Sequence, residues 1–176
     1  MNNAVKDELV LEIEQTLEIK ATPEKVFEGL IKHLCDMEGE PGKPRLSLKL
    51  ERKPGGRWYR DLGNDSGHLW GFVQSIKPPT LLELWGPMMI SGPVATHMII
   101  RLAPAGAGTK LVFKNEVMGP LPEEMREPAV AYLIEQAEKF RALKADIEKG
   151  LADVKAGRVR DWDFADFLRR ANLPRA

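Results

Sequence analysis

Residues Lys53-Pro-Gly-Gly-Arg-Trp-Tyr-Arg-Asp61 are followed by Gly71-Phe-Val-Gln-Ser-Ile-Lys-Pro-Pro79 and then by Leu81-Leu-Glu-Leu-Trp85. Gly-Gly and Pro-Pro punctuate three apolar runs at hairpin spacing. Glycine reaches backbone angles closed to other residues, and proline fixes φ while removing a hydrogen-bond donor, so such pairs end strands. The stretch therefore reads as successive antiparallel strands.

Towards the N-terminus, Leu9, Leu11, Ile13, Leu17 and Ile19 alternate with Val10, Glu12, Glu14, Thr16, Glu18 and Lys20. A period of two with one mostly charged face predicts a half-buried strand, in which Gln15 is the polar interruption of the apolar face. Thr22-Pro23 then opens a helix, Thr as the cap and Pro at the first helical position, with an apolar stripe of Val26, Phe27, Leu30, Ile31 and Leu34. Asp36 to Arg45 reads as a loop. Strands are predicted near 46–52, 57–62, 68–77, 80–86, 94–103 and 109–118, separated by Gly- and Pro-rich turns. From about Pro122 to Lys149 the period becomes helical, with Val130, Leu133, Ala137, Phe140 and Ile147 on one side and Pro128 close to the start.

The order is thus strand, helix, meander and long helix, an α+β chain. A sheet with one apolar face needs a cover, and the long amphipathic helix is the available one. Residues 1–150 form the expected domain. Residues 151–176 are expected to be a tail, with Val159–Leu168 as a short amphipathic helix packing on the domain or on a partner.

The Pro-Gly-Gly-x-Trp turn, the Gly-x-Val strand ending in Pro-Pro and the strand closing on Trp85 resemble the SRPBCC superfamily, the START-like or helix-grip proteins. Within it, the resemblance is to the branch related to the activator of Hsp90 ATPase. It covers roughly residues 8–149. It implies a curved antiparallel sheet of about six to seven strands wrapped on the long C-terminal helix, enclosing an elongated, mostly apolar cavity.

Composition excludes several classes. Lys plus Arg and Asp plus Glu both number 26, and no basic run occurs, which argues against nucleic-acid binding. No apolar run approaches membrane-spanning length, and the first residues lack an apolar signal core, so a cytoplasmic protein without membrane insertion is expected. The single Cys35 fits a reducing compartment. His33, His68 and His97 are isolated and no C-x-x-C or H-E-x-x-H occurs, so no metal is expected. No dinucleotide fingerprint, P-loop or G-x-S-x-G elbow is present, and no cofactor is expected. Cys35 and His33, two apart on a helix, point to different sides and make an improbable catalytic pair.

The implied cavity directs attention to the inner face of the sheet, and strand alternation sorts its side chains where no bulge intervenes. The family's aromatic positions place Trp58, Arg60 and Leu62 inward. Gly71 and Val73 should follow, with Trp70, Phe72 and Gln74 outward. Leu81, Glu83 and Trp85 are expected inward and Leu82 and Leu84 outward. Thr96, Met98, Ile100 and Leu102, then Leu111, Phe113, Asn115 and Val117, complete the inner face. Trp58, Trp85, Met98 and Phe113 would supply apolar walls. Arg60, Glu83 and Asn115, with Gln15, would hold a polar head group. Arg60 and Glu83 have two other readings, a cross-strand ion pair or a one-residue bulge that turns them to solvent. An outward Trp70, Phe72, Leu82 and Leu84 would form an apolar patch for a second copy, a partner or the tail's Trp162, Phe164, Phe167 and Leu168, unless the alternation is inverted.

Trp85-Gly-Pro-Met-Met-Ile90 reads either as a soft rim at a cavity mouth or as core packing at a strand end. The leading function is therefore binding of a small apolar or amphipathic molecule in a preformed cavity. Two alternatives stand beside it. One is a cyclase- or dehydratase-like enzyme with Glu83 as acid–base and Arg60 steadying an anion. The other is a protein that acts on a chaperone or regulator through the outer patch.

Overall fold

The computed structural model describes residues 10–37, 46–88, 90, 92–120 and 123–157. The predicted tail helix, with Trp162, Phe164, Phe167 and Leu168, lies outside these residues. Strands β1 (Val10–Ile19), β4 (Lys49–Leu50), β5 (Arg57–Gly63), β6 (Ser66–Lys77), β7 (Leu81–Gly86), β8 (Ala95–Ala105) and β9 (Gly108–Met118) form one seven-stranded sheet. Its order is β1-β9-β8-β7-β6-β5-β4, antiparallel throughout, so the meander stays in sequence and β1 closes onto the last strand. Helix α1 (Pro23–Cys35) buries Val26, Phe27, Leu30, Ile31 and Leu34, the predicted stripe, and starts at the predicted proline.

The run near 46–52 does not form one strand. β3 (Leu46–Ser47) pairs with β2 (Asp36–Met37) as a separate small ladder, and β4 joins the main sheet. Leu48 between them is buried, and its N–H donates to the Cys35 carbonyl at 2.8 Å, which ties the crossover to the end of α1.

The Pro-Gly-Gly turn is docked on the sheet. Gly55 N–H donates to the Val73 carbonyl at 2.8 Å, and Val73 N–H donates to the Gly56 carbonyl at 2.7 Å. Gly55 has φ +74°, where a side chain is strained, and a Cβ at Gly56 would run into the Glu51 carbonyl oxygen. The Glu51 carboxylate clamps the same turn from outside. Arg57 donates to it through Nη2 at 2.6 Å, through Nε at 3.1 Å and through its backbone N–H at 3.0 Å.

Those Arg57 bonds lower the Glu51 carboxyl from 4.5 to about 2. A depressed carboxyl stabilises the fold fully above its unfolded value of 4.5, and that contribution is lost as pH falls through about 2. An NMR carboxyl titration should show the Glu51 inflection near 2, moving back towards 4.5 in Arg57→Gln. An inflection at the ordinary value in the wild type would contradict the clamp.

Helix α2 (Glu123–Lys155) packs against β1 and against α1. Among its described side chains, Ala129, Ala137, Phe140 and Leu143 are buried, with Ile147 and Leu151 packed at the edge of the core. Val130, predicted for this stripe, is exposed, and the side chain of Leu133 lies outside the description. The helix also runs through Gly150, so Leu151 to Lys155 continue the covering helix.

Candidate functional site

Because directly opposed residues of antiparallel strands share a face, the pairing register assembles the concave surface row by row. One row runs Ile76, Leu82, Ile100, Phe113 and Gln15; the next runs Val73, Leu84, Met98, Asn115 and Ile13. A third contains Gly86, Thr96, Val117 and Leu11. Trp58, opposite Gly71, continues the surface on β5. The strand alternations predicted for β8 and β9 are those observed.

Alternation along β7 is the reverse of that expected. Leu82 and Leu84 are fully buried on the concave side, whereas Trp85 is 46% exposed on the convex side and Glu83 shares its face. Leu81-Leu-Glu-Leu-Trp85 carries apolar residues on both alternations, so periodicity does not decide its orientation; its neighbours do. On β6 a bulge falls at Trp70, where the pairing steps from Trp58–Gly71 to Tyr59–Leu69. The extra residue turns Trp70 inward, and its ring meets Trp58 edge to face, with centroids 5.1 Å apart. A second irregularity falls at Gln74, between the Val73–Leu84 and Ser75–Glu83 pairs.

The outer patch predicted from Trp70, Phe72, Leu82 and Leu84 is therefore corrected. Of these only Phe72 faces solvent, opposite Trp85. Leu62 is also exposed, since the β5–β6 hairpin carries no cover from Asp61 to Leu69. Arg60, half-buried, keeps the alternation of Trp58 on β5. Glu83 faces the other way, and β6 separates their strands. They form neither the expected ion pair nor a shared acid–base site.

Glu83 instead belongs to a row of polar and charged side chains on the convex face. His97 Nε2 lies 3.6 Å from Glu83, His97 Nδ1 lies 3.3 Å from Glu116, and Lys114 reaches Glu116 at 3.1 Å and Glu12 at 3.0 Å. The Lys114 ammonium, with a smaller contribution from His97, holds the Glu116 carboxyl below its ordinary range although partial burial opposes it. Among the described residues no group of His, Cys, Asp or Glu is arranged to hold a metal, and no helix is long and apolar enough to cross a membrane.

Trp58 is held in the core by a specific bond: its indole N–H donates to the Leu34 carbonyl at 3.1 Å, capping the end of α1. Met88 and Ile90 are buried, and Met88 N–H donates to the Trp70 carbonyl at 2.8 Å, so this part of the Met-rich segment packs into the core. Gln15 is committed to α2. Its carboxamide, oriented by its neighbours, donates to the Ala137 carbonyl at 2.7 Å and accepts from Arg141 Nε at 2.6 Å and Nη2 at 3.1 Å.

Three polar residues are buried among the described ones: Thr109, Thr96 and Asn115. Thr109 is satisfied, donating to the Ala21 carbonyl at 2.7 Å. Thr96 and Asn115 are both 0% exposed, and Thr96 Oγ1, Asn115 Oδ1 and Asn115 Nδ2 all lack a hydrogen-bond partner. Thr96 is diagonal to Asn115 across β8 and β9, at a Cα separation of roughly 7–8 Å for such pairs. They also sit where the apolar core divides. Phe113 and Met98, on one side, belong to the main cluster; Val117 and Val94, on the other, belong to a smaller one with Ile90 and Ala129. Sequence reasoning placed Thr96 inward but did not single it out. The available signal was a second hydroxyl or amide on the inner face of the adjoining strand.

No protein-family model matches the sequence, and no curated protein matches it. Solved structures do match. An uncharacterised protein from Rhizobium leguminosarum superimposes with a TM-score of 0.58 at 18% identity, covering 80% of this chain and 95% of that one. The Aha1 dimer from Colwellia psychrerythraea gives 0.54 at 17% identity, covering 78% and 96%. This chain has the helix-grip fold. The di-domain aromatase/cyclase StfQ of the steffimycin biosynthetic pathway shares it, with a TM-score of 0.57 at 13% identity, and 88% of this chain spans 54% of that one. The helix-grip architecture expected from the Pro-Gly-Gly to Trp85 stretch is the one observed, a seven-stranded antiparallel sheet with a long helix along it.

Proposed function

We propose that this protein binds a small apolar or amphipathic molecule between the concave face of the sheet and helix α2. The observation that carries the reading is the unpartnered Asn115 carboxamide and Thr96 hydroxyl, fully buried among Leu84, Met98, Phe113 and Val117. A buried polar group without a partner costs about 1–3 kcal/mol, and two such residues at one break in the core suit a site completed by a ligand. Binding sites for small molecules combine apolar walls with a few convergent polar groups of this kind. Met98 and Phe113 stay in this reading as walls and Asn115 as the polar contact. Trp58 supports the wall from its fixed place beneath α1, and Arg60 lies towards the open end of β5. Glu83 and Trp85, on the convex face, are left out of it. A single Cys35, half-buried, suits a reducing cytoplasmic setting.

Native mass spectrometry of the full chain, with titration by an environment-sensitive apolar dye, tests the reading. The expected result is a retained small-molecule adduct or saturable binding of one dye per chain, displaced by amphipathic competitors. A clean apo mass together with non-saturable dye uptake would refute it.

A further inference from the structure

The two unpartnered residues also carry information about the head group of the ligand, an inference that rests on the binding reading above. Asn115 offers one acceptor and two donor hydrogens, and Thr96 a hydroxyl that both donates and accepts. The charged groups near this row on β1, β7, β8 and β9 point away from it. Glu12, Glu83, His97, Lys114 and Glu116 occupy the convex face and bond to or approach one another. On the concave side, the Arg141 guanidinium is engaged by Gln15, which lies one concave position along β1 from Ile13, the residue opposite Asn115. Among the described strand residues, the same-face neighbours of the polar pair are Leu11, Ile13, Leu84, Met98, Phe113 and Val117, with no cation among them.

We infer that Asn115 and Thr96 form a neutral head-group subsite, selecting an uncharged ligand end that donates and accepts hydrogen bonds, such as a hydroxyl or phenol, over a carboxylate. The physical reason is desolvation. A neutral hydroxyl exchanges its water bonds for bonds to the amide and the threonine hydroxyl. A carboxylate placed there would lose its hydration with no counter-charge to replace it. The position of the pair adds direction, since it lies between the two apolar clusters and an apolar body can extend towards either.

The test uses matched pairs differing only at the head: 1-decanol against decanoate, and 2-naphthol against 2-naphthoate, competed against the dye at about pH 7, where the acids are ionised and the alcohols neutral. The neutral member of each pair is expected to bind about tenfold or more tighter. Asn115→Leu and Thr96→Val should each reduce this preference while leaving dye binding measurable. Equal affinities within both pairs, or preference for the carboxylates, would overturn the neutral subsite and leave the binding reading standing. Failure of all four competitors and of the dye to bind would remove the binding reading and the inference together. Preference for the alcohols that survives both substitutions would place the selecting groups elsewhere and overturn the assignment to Asn115 and Thr96.

Discussion

Replacing Trp58 with alanine is expected to destabilise the protein by about 3–5 kcal/mol, the range for truncating a fully buried aromatic residue. Three separate losses converge there. The ring fills the space beneath α1 and is completely buried. Its edge-to-face contact with Trp70, at 5.1 Å between centroids, disappears. The Leu34 carbonyl at the end of α1 loses the indole donor that satisfies it at 3.1 Å. Trp58→Phe separates these effects, retaining an aromatic ring and removing the donor. It should cost about 1–3 kcal/mol for the unsatisfied carbonyl, plus the smaller ring's packing loss. Denaturant midpoints at constant m-value measure both. A Trp58→Phe cost near zero would show that the indole bond contributes nothing, and an unchanged midpoint in Trp58→Ala would contradict the packing described.

Trp58 also shows where sequence reading succeeds and where it stops. The punctuation around it is dictated by backbone chemistry: Gly55 has a positive φ, Gly56 abuts the Glu51 carbonyl, and both bond to Val73. Such constraints are local, so the order of strands and the fold they imply were legible. The faces of β8 and β9 were legible too, because Arg101, Lys110 and Lys114 mark one side of otherwise apolar strands. β7 lacks such a marker. Its orientation depends on cross-strand register, and β6, which sets that register, contains a bulge at Trp70 and an irregularity at Gln74. Alternation cannot be carried from strand to strand across an inserted residue. The result moved Glu83 and Trp85 to the convex face and Leu82, Leu84 and Trp70 into the core.

That exchange changes the chemistry of the candidate site. With Arg60 and Glu83 in one cavity, the interior would have been ionic and suited to acid–base work. With Glu83 beside His97 on the other face, the described concave strand residues around Met98 and Asn115 present only neutral polar atoms, and the Arg141 guanidinium of α2 is engaged one position away by Gln15. The difference between an ionic and a neutral interior is a property of register. Composition and motif spacing do not encode it.

Asn115→Leu is expected to raise stability while lowering affinity for the ligand, a combination that distinguishes a binding group from a structural one. Both polar atoms of Asn115 are buried and unpartnered. Removing an unsatisfied buried group recovers about 1–3 kcal/mol, and for a chain of this size each kcal/mol raises Tm by about 2–4 °C. Thr96→Val, nearly identical in shape, should give a gain of the same sign without any risk of overpacking. A structural asparagine would behave in the opposite way, since its replacement would break bonds that hold the strands. The measurement is a pair of melting curves, with and without saturating 1-decanol. In the wild type the ligand should raise Tm, because it binds only the folded state. In Asn115→Leu the starting Tm should be higher and the ligand-induced rise smaller. A lower starting Tm for both variants would mean that bound water or another partner already satisfies these groups, and the polar pair would then be part of the scaffold.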